Sequence, residues 1–444
     1  MRRANIQFEQ RRRGGRWWLA GGLLSFGVAF ALQAAETNLT GEVELLRRQN
    51  ERLQKQVDTQ SGALDRLAKK LEQLESQLKD REIANGENAP ADQGGLNLGK
   101  VNLGVEGGVA FFRTGSAGFA PHPEFRVDEA RLFVEAPVWN DVYFYSDVDL
   151  ATRESDSLTA QLGELYLDCE DLSQLWGRDG QLNLRAGRIF IPFGEEYLDR
   201  YAMENPLISH SLTDLWGIAP GVELYGKLGK FSYGAAVQNG GVNGVQDFDA
   251  DKSIAGRVGF DPNAHWHFSV SGMRTGDLNV QQDMLSALWF ANGWFGGVGS
   301  PATSRFHVDL VEGDVTARWH SGHVRAFGGY GRYEDNDPQA NNGRDLFYYS
   351  VEAVQNLPHQ FYVATRFSQI LAPHGYPLAG FGNFNDYFFG DTATQLWRWS
   401  LGAGYRFSDR LELKVEYAWE RGRELDGEAR NHEDFFGTEA AFKF

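Results

Sequence analysis

The sequence is poor in cysteine, in methionine and in long apolar runs, and each shortage excludes a class of protein. Its 444 residues include one cysteine, Cys169, so an intramolecular disulfide framework is excluded. Beyond the N-terminal region no apolar run reaches the roughly 18 residues of a membrane-spanning helix. Four methionines stand against 52 glycines and 13% aromatic residues, and this composition favours strands and turns over helical packing.

Basic charge is also scarce in most of the chain. The formal net charge is −17, and because residues 1–98 carry a net +2, the remaining residues carry −19. An acidic body of this size argues against nucleic acid as a partner.

Apolar and polar residues alternate along three segments between residues 395 and 444. The apolar positions of the first two segments are Trp397, Trp399, Leu401, Ala403, Tyr405, Phe407, Leu411, Leu413, Val415, Tyr417 and Trp419. Successive side chains of a strand point to opposite faces, so one face is aromatic and the other carries Arg, Lys and Glu. That combination predicts a wall with lipid on one side and water on the other, as in a transmembrane β-barrel.

The alternation recurs in about sixteen segments of the region 100–444. The segments are 100–112, 125–136, 142–150, 160–169, 181–190, 220–227, 230–238, 253–260, 265–274, 305–319, 323–333, 345–356, 360–370, 395–407, 411–420 and 434–444. Connections after odd segments are mostly long and those after even segments mostly short, with 170–180 as an exception. Long extracellular loops and tight periplasmic turns are typical of outer-membrane barrels, so we predict an all-β barrel of about sixteen antiparallel strands.

The N-terminal residues 1–35 have the layout of a secretory signal peptide. A basic stretch is followed by an apolar stretch from Trp17 to Leu32 and by the small residues Ala34 and Ala35. An uncleaved inner-membrane anchor is the alternative interpretation.

A heptad repeat occupies residues 39–83 and predicts an α-helical coiled coil before the barrel. Its a and d positions are Val43, Leu46, Asn50, Leu53, Val57, Gln60, Leu64, Leu67, Leu71, Leu74 and Leu78. A single amphipathic helix packed on the barrel is the alternative, and the heptads leave the number of chains open. Residues 84–99 contain four Gly, three Asn and one Pro and predict a flexible linker.

Two runs resemble the phosphate-selective porins O and P. Leu184-Arg185-Ala186-Gly187-Arg188 followed by Ile191-Pro192-Phe193-Gly194 is similar to the end of a strand and the opening of a loop in that family. The run 125–132 resembles an arginine-bearing early strand. The resemblance implies a trimeric, sixteen-stranded outer-membrane channel. It also implies that the loop after the fifth strand folds into the lumen and that lumenal Arg and Lys guide anions.

In this chain the corresponding loop is 191–219, and strand parity indicates which basic residues face the lumen. The charged residues of the predicted constriction loop are Glu195, Glu196, Asp199, Arg200, Glu204 and Asp214. The predicted pore-lining residues are Arg131, Arg185, Arg257, Arg366, Arg398, Arg406 and Lys414. A charged side chain on the lipid face would cost about 2–4 kcal/mol at mid-depth, so the inward phase is favoured. Alternatively, these residues pair with lumenal acids and merely keep the interior hydrated.

The predicted function is an outer-membrane porin for passive diffusion of small hydrophilic solutes, with phosphate or other anions among the candidates. The expected partners are outer-membrane lipid, the solute and two further copies in a homotrimer, with the coiled coil in the periplasm. A structural envelope tether, with the barrel as anchor, is the alternative. No catalytic grouping, metal site or cofactor site is predicted, since no nucleophile elbow and no third ligand for His265 and His267 is evident.

Overall fold

Sixteen long antiparallel strands form one closed sheet in the computed structural model of the chain. Their bounds are β1 Asn102–Thr114, β2 Glu124–Trp139, β3 Val142–Ala151, β4 Gln161–Cys169, β5 Asn183–Phe190, β6 Ile218–Leu228, β7 Phe231–Gln238, β8 Ser253–Asn263, β9 Trp266–Arg274, β10 Arg305–Trp319, β11 Gly322–Asp335, β12 Arg344–Asn356, β13 Phe361–Tyr376, β14 Ala393–Ser408, β15 Leu411–Glu424 and β16 Phe435–Lys443. The last strand pairs with the first from Phe435↔Thr114 to Lys443↔Glu106, which closes the barrel. The predicted sixteen-stranded antiparallel barrel is confirmed.

The structure describes residues 96–97, 101–152, 160–240, 247, 250–281, 291–297, 302–389 and 391–444. All of them belong to the unit Asp92–Phe444. The predicted signal peptide at 1–35, the predicted coiled coil at 39–83 and most of the predicted linker at 84–99 lie outside the described residues.

Short elements complete the described part of the chain. Leu96–Asn97, Leu278–Asn279 and Ala429–Arg430 are two-residue strands that extend the sheet locally. Two α-helices, α1 Ala291–Gly297 and α2 Phe384–Phe389, and two 3₁₀ helices, Leu172–Trp176 and Glu196–Asp199, lie in connections. No helix of the described residues is long and apolar enough to cross a membrane.

The connections differ in length between the two ends of the barrel. At the long-loop end lie L1 (115–123), L2 (152–160), L3 (191–217), L4 (239–252), L5 (275–304), L6 (336–343), L7 (377–392) and L8 (425–434). At the short-turn end six of the seven connections span two to four residues. The seventh, 170–182, is the longest connection at this end and contains the 3₁₀ helix Leu172–Trp176. The connections after odd strands are therefore long and those after even strands short, as predicted. The connection after β4 is the exception, also as predicted.

The wall of the barrel has an apolar outside and a charged inside, as β15 shows. Leu413 and Val415 are 45% and 41% exposed, whereas Lys414 and Glu416 beside them are 3% and 1% exposed. A water-soluble sheet buries the apolar side chains instead, because burial of apolar surface is what stabilises it. The exposure pattern therefore fits a sheet whose outer surface contacts an apolar solvent.

This arrangement reverses towards the long-loop end of β10. Phe306, Val308 and Leu310 are at most 5% exposed on the inner face, while Val311 and Trp319 are 47% and 42% exposed on the outer face. The strand keeps its period of two, so the apolar face changes from the inside to the outside near residue 310. The inner face of the barrel is therefore not charged throughout, because the inward side chains of β10 near the loops pack in an apolar core.

Candidate functional site

L3 lies inside the barrel and reaches walls on opposite sides of it. The backbone N–H of Gly194 donates to Ser271 Oγ on β9 at 3.0 Å. The N–H of Ala202 donates to a carboxylate oxygen of Glu129 on β2 at 2.9 Å. Since β2 and β9 stand far apart in the ring of sixteen strands, L3 crosses the interior.

Glu416 of β15 holds the returning limb of L3 through its carboxylate. The backbone N–H groups of Ile208 and Ser209 both donate to Glu416 Oε2 at 2.7 Å, and Ser209 Oγ donates to Oε1 at 2.5 Å. Hydrogen bonds to a charged group contribute about 1.5–3 kcal/mol each, so this contact fixes the loop backbone firmly.

Lys414, on the same face of β15, holds the same limb through its ammonium group. Its Nζ donates to the carbonyl oxygens of Ala202, Leu207 and Asn205 at 2.6, 3.2 and 3.3 Å. Glu439 of β16 lies 2.7 Å from the same nitrogen. The ammonium group therefore has more acceptors than hydrogens.

Arg366 of β13 adds a third contact to this limb. Its guanidinium donates to the Ser209 carbonyl at 2.7 Å and to Asn205 Oδ1 at 2.9 Å. The remaining side of the guanidinium pairs with Glu352 of β12. The residue is 7% exposed, so the arginine is enclosed between the wall and the loop.

Arg398 of β14 joins L3 to L7. Its Nη1 donates to the His210 carbonyl at 2.9 Å, and its Nε and Nη2 lie 2.7 Å from Glu420 Oε2. The ring centroid of Phe381, in L7, lies 3.4 Å from the guanidinium carbon. Glu420 also accepts the backbone N–H of Phe381, so one ion pair contacts both loops.

Arg131 of β2 is also enclosed, on the wall next to the closure between β16 and β1. Its guanidinium lies 2.7 Å from Glu106 and 3.3 Å from Asp147, and the ring of Tyr201 in L3 covers it at 3.3 Å. The residue is 8% exposed. The arginine therefore contacts L3 through an aromatic face rather than through a backbone carbonyl.

Arg185 of β5 keeps more of its surface accessible. It lies 2.9 Å from Asp168 and 3.3 Å from Glu223, and 26% of its side-chain surface is exposed. The rings of Tyr166 and Tyr225 flank it at 4.5 and 4.9 Å. No hydrogen bond described joins Arg185 to L3, and this arginine keeps more exposed surface than Arg366, which the loop encloses.

Arg257 and Arg406 complete the predicted set. Arg257 of β8 is half-buried and donates to the Gly194 carbonyl at 2.7 Å. Arg406, near the short-turn end of β14, lies 3.0 Å from Glu412, and 46% of its side-chain surface is exposed. All seven predicted basic residues are thus placed along the inner wall, but they divide into enclosed and accessible groups.

The predicted charged residues of L3 are each engaged by a polar partner. The pairs are Glu195 with His267 at 2.7 Å, Glu196 with Ser211 at 2.6 Å, Arg200 with Asp214 at 3.0 Å, Glu204 with Lys443 at 2.8 Å, and Asp199 with Arg325. Burial, together with the charge of Glu106, raises the pKa of the Glu204 carboxyl.

A polar cleft lies between L3 and the wall formed by β11–β13. Charged residues of both signs line it. The charged lining residues are Glu196, Asp199, Arg200, Arg325, Glu352 and Arg366.

An apolar core fills the interior beside β9–β14 near the long-loop end. L3 contributes Ile191, Phe193, Leu212 and Leu215, L5 contributes Leu278, Val280 and Phe295, and the wall contributes Phe306, Val308, Leu310, Leu346 and Ile370. This side of the interior is packed like a protein core.

L1, L7 and L8 are joined at the long-loop end. Arg430 of L8 is 2% exposed, pairs with Glu433 at 2.7 Å and donates to the carbonyls of Leu378 and Ala379 in L7. Phe119 of L1 donates its N–H to the carbonyl of Phe381 at 2.9 Å. The mouth of the barrel is therefore narrowed by interlocked loops.

Arg325 is a residue of this region that the sequence analysis does not include. Position 325 has the same parity as the inward residues His323 and Phe327. The alternation in the segment 323–333 could therefore have indicated that Arg325 faces the lumen. Tyr201 also lies outside the predicted set, and no sequence pattern indicates that its ring covers Arg131.

No protein-family model and no curated protein sequence matches the chain. Solved structures of similar fold include in-vitro folded OmpT, an outer membrane protein of Vibrio cholerae, with a TM-score of 0.52, 11% identity, and 79% of this chain and 100% of that chain covered. The outer membrane channel DcaP of Acinetobacter baumannii gives a TM-score of 0.52 at 12% identity, covering 81% of this chain and 100% of that chain. A trimer form of OmpT gives 0.50 at 12% identity, covering 78% and 99%. At these identities the likeness concerns the fold.

Proposed function

We propose that the chain is an outer-membrane porin through which small hydrophilic solutes diffuse passively. The observation that carries this proposal is a closed barrel with exposed apolar side chains outside and buried charges inside, as on β15. Lipid stabilises such an outer surface, and the inward loop leaves a constricted interior, as expected of a diffusion channel.

The change of polarity along β10 supports a membrane boundary near residue 310. On the long-loop side of this residue the outward positions His307 and Asp309 are polar. On the short-turn side the outward residues Val311 and Trp319 are exposed and apolar. Trp319, at the short-turn end of β10, would lie at the opposite boundary, because aromatic residues favour the interface between lipid and water. The long-loop end would then project from the membrane on the extracellular side.

The open path runs between L3 and the wall formed by β3–β6. Tyr145, Tyr166 and Tyr225 are half-buried on this wall, Arg185 is partly accessible, and Leu198 of L3 is 51% exposed. On the opposite side an apolar core fills the interior beside β9–β14 near the long-loop end, and the polar cleft lies between L3 and β11–β13.

The first prediction concerns ion conduction. Purified, folded protein inserted into planar bilayers in KCl should give discrete current steps, because water and ions can pass between L3 and β3–β6. Heat-denatured protein is the control. Folded protein that gives no current would contradict the porin function.

Phosphate or another anion is the solute that the family resemblance implies. On that hypothesis phosphate added to the same bilayers reduces the chloride current, because phosphate occupies accessible arginines such as Arg185 and Arg406. If the chloride current does not change with added phosphate, phosphate is not the preferred solute.

The proposed assembly is a homotrimer with the coiled coil of residues 39–83 in the periplasm. The trimer form of OmpT supports it at the level of the fold.

The second prediction is that deletion of residues 42–83 lowers the stability of the trimer in detergent, because parallel heptads add an interface. Sedimentation measures the change. Normal solute uptake together with loss of envelope integrity would favour the alternative, an envelope tether.

A further inference from the structure

Four charged residues of β13–β15 form hydrogen bonds with residues 202–210, the returning limb of L3, and they carry charges of both signs. They are Arg366, Arg398, Lys414 and Glu416, and we call them the anchoring cluster. Their exposures are 7%, 6%, 3% and 1%. Three of them belong to the predicted pore-lining set, so the structure raises the question of what these charges bind.

The donors of the three basic residues are occupied by the loop backbone and by wall carboxylates. Lys414 Nζ has four oxygen atoms within 3.3 Å, three of them backbone carbonyls of L3. Arg366 uses one nitrogen for the Ser209 carbonyl, one for Asn205 and Glu352, and the third for Glu352. A solute anion would have to displace these oxygens before it could bind.

The polar atoms of Glu416, which carries the opposite charge, are likewise occupied by L3. Its two oxygens accept from Ile208, from Ser209 N–H and from Ser209 Oγ, all within 2.7 Å. A carboxylate that repels anions and a lysine that attracts them thus perform the same task two residues apart. Their common partner is the backbone of residues 202–209.

We propose that the anchoring cluster fixes L3 across the barrel and does not guide the solute. Its members are positioning residues, and they set the width of the path through the place that L3 occupies. This inference rests on the proposed porin function. Ion preference is then determined by accessible residues such as Arg185 and Arg406, which leave part of their surface open.

The third prediction follows from the opposite charges of Lys414 and Glu416. Lys414→Met and Glu416→Gln should both increase single-channel conductance by about twofold or more, with greater open-channel noise, because each frees the same limb of L3. Residues that guide ions would behave differently. The two substitutions would then shift the reversal potential in a KCl gradient in opposite directions, with conductance nearly unchanged. That result would overturn the proposal.

Arg406 provides a matched control on the same wall as Arg398. Both face inward from β14, but Arg406 is accessible and makes no contact with L3 among those described. Arg406→Gln should shift the reversal potential towards cations without added noise. An increase in noise equal to that of Lys414→Met would contradict the distinction between the two groups.

Proteolysis separates this proposal from the porin function. Folded wild-type and variant proteins in detergent are treated with a protease of broad specificity, and cleavage within residues 202–211 is measured. We expect faster cleavage in Glu416→Gln and wild-type rates in Arg406→Gln. Equal rates in all three overturn the anchoring role, and this holds whether or not the protein conducts ions. Glu416→Gln is nearly isosteric, so it serves if Lys414→Met does not fold.

Discussion

Gly187→Ala is expected to destabilise the barrel by about 2–5 kcal/mol, because its backbone and its surroundings both exclude a side chain. The residue has a φ of +144°, and an added Cβ would lie 2.2 Å from the carbonyl oxygen of Leu165 and 2.6 Å from Tyr166 Cα. Neither contact is with a flexible side chain, so β4 and β5 would have to separate. Urea unfolding in lipid vesicles, followed by tryptophan fluorescence, measures the loss.

Gly256→Ala is the matched control for this prediction. Gly256 lies in β8, its φ is not positive, and the nearest atom to an added Cβ would be the Gly234 carbonyl oxygen at 3.5 Å. This distance is ordinary van der Waals contact, so the control should fold like the wild type. If both variants unfold alike, the close approach at Gly187 is not the cause.

Gly187 also gives a physical meaning to the run that carries the family resemblance. The glycine lies opposite Tyr166 in the ladder between β4 and β5, and Arg185 packs against the same tyrosine. Arg188, in the outward phase, donates to the Gly163 carbonyl at 2.7 Å beside a register shift of β3 and β4. The residues 184–188 therefore contribute to close packing of the strands at least as much as to contact with a solute.

Shortening L3 should produce the largest change in conduction. The side chains of Arg200 and Asp214 form an ion pair at 3.0 Å, so a linker of about four glycines can join their backbones when residues 201–213 are removed. The segment that crosses towards β13–β15 is then absent, and single-channel conductance should rise by more than about twofold, because the narrowest part of the path widens.

A loop at the same end of the barrel provides the control for this deletion. In L8 the residues 425–428 are exposed, and their replacement by two glycines should leave conductance unchanged. Unaltered conductance in the L3 variant would mean that the solute does not pass beside L3. The proposed path between L3 and β3–β6 would then be wrong, although the barrel would remain a channel.

The fold of this chain could be predicted from local sequence patterns. Alternation with a period of two identifies strands, and loop parity assigns their two ends, because both depend on residues close together in the chain. Segments such as 305–319 and 411–420 agree with β10 and β15 within a few residues. Parity also indicates the inward phase of Lys414 and Arg398, since a strand side chain has only two faces to occupy.

The sequence alone determined that a closed sheet separates an apolar outside from a charged inside. Only the tertiary structure decided which of those charges remain accessible. Lys414, Arg366 and Glu416 meet residues 202–209 from more than 150 positions away in the chain, and no local pattern records that contact. The same holds for the apolar core at Phe306 and Leu310, which forms because L3 and L5 fold into the barrel. Strand periodicity is a local property, whereas the partner of an inward side chain depends on where a distant loop comes to rest.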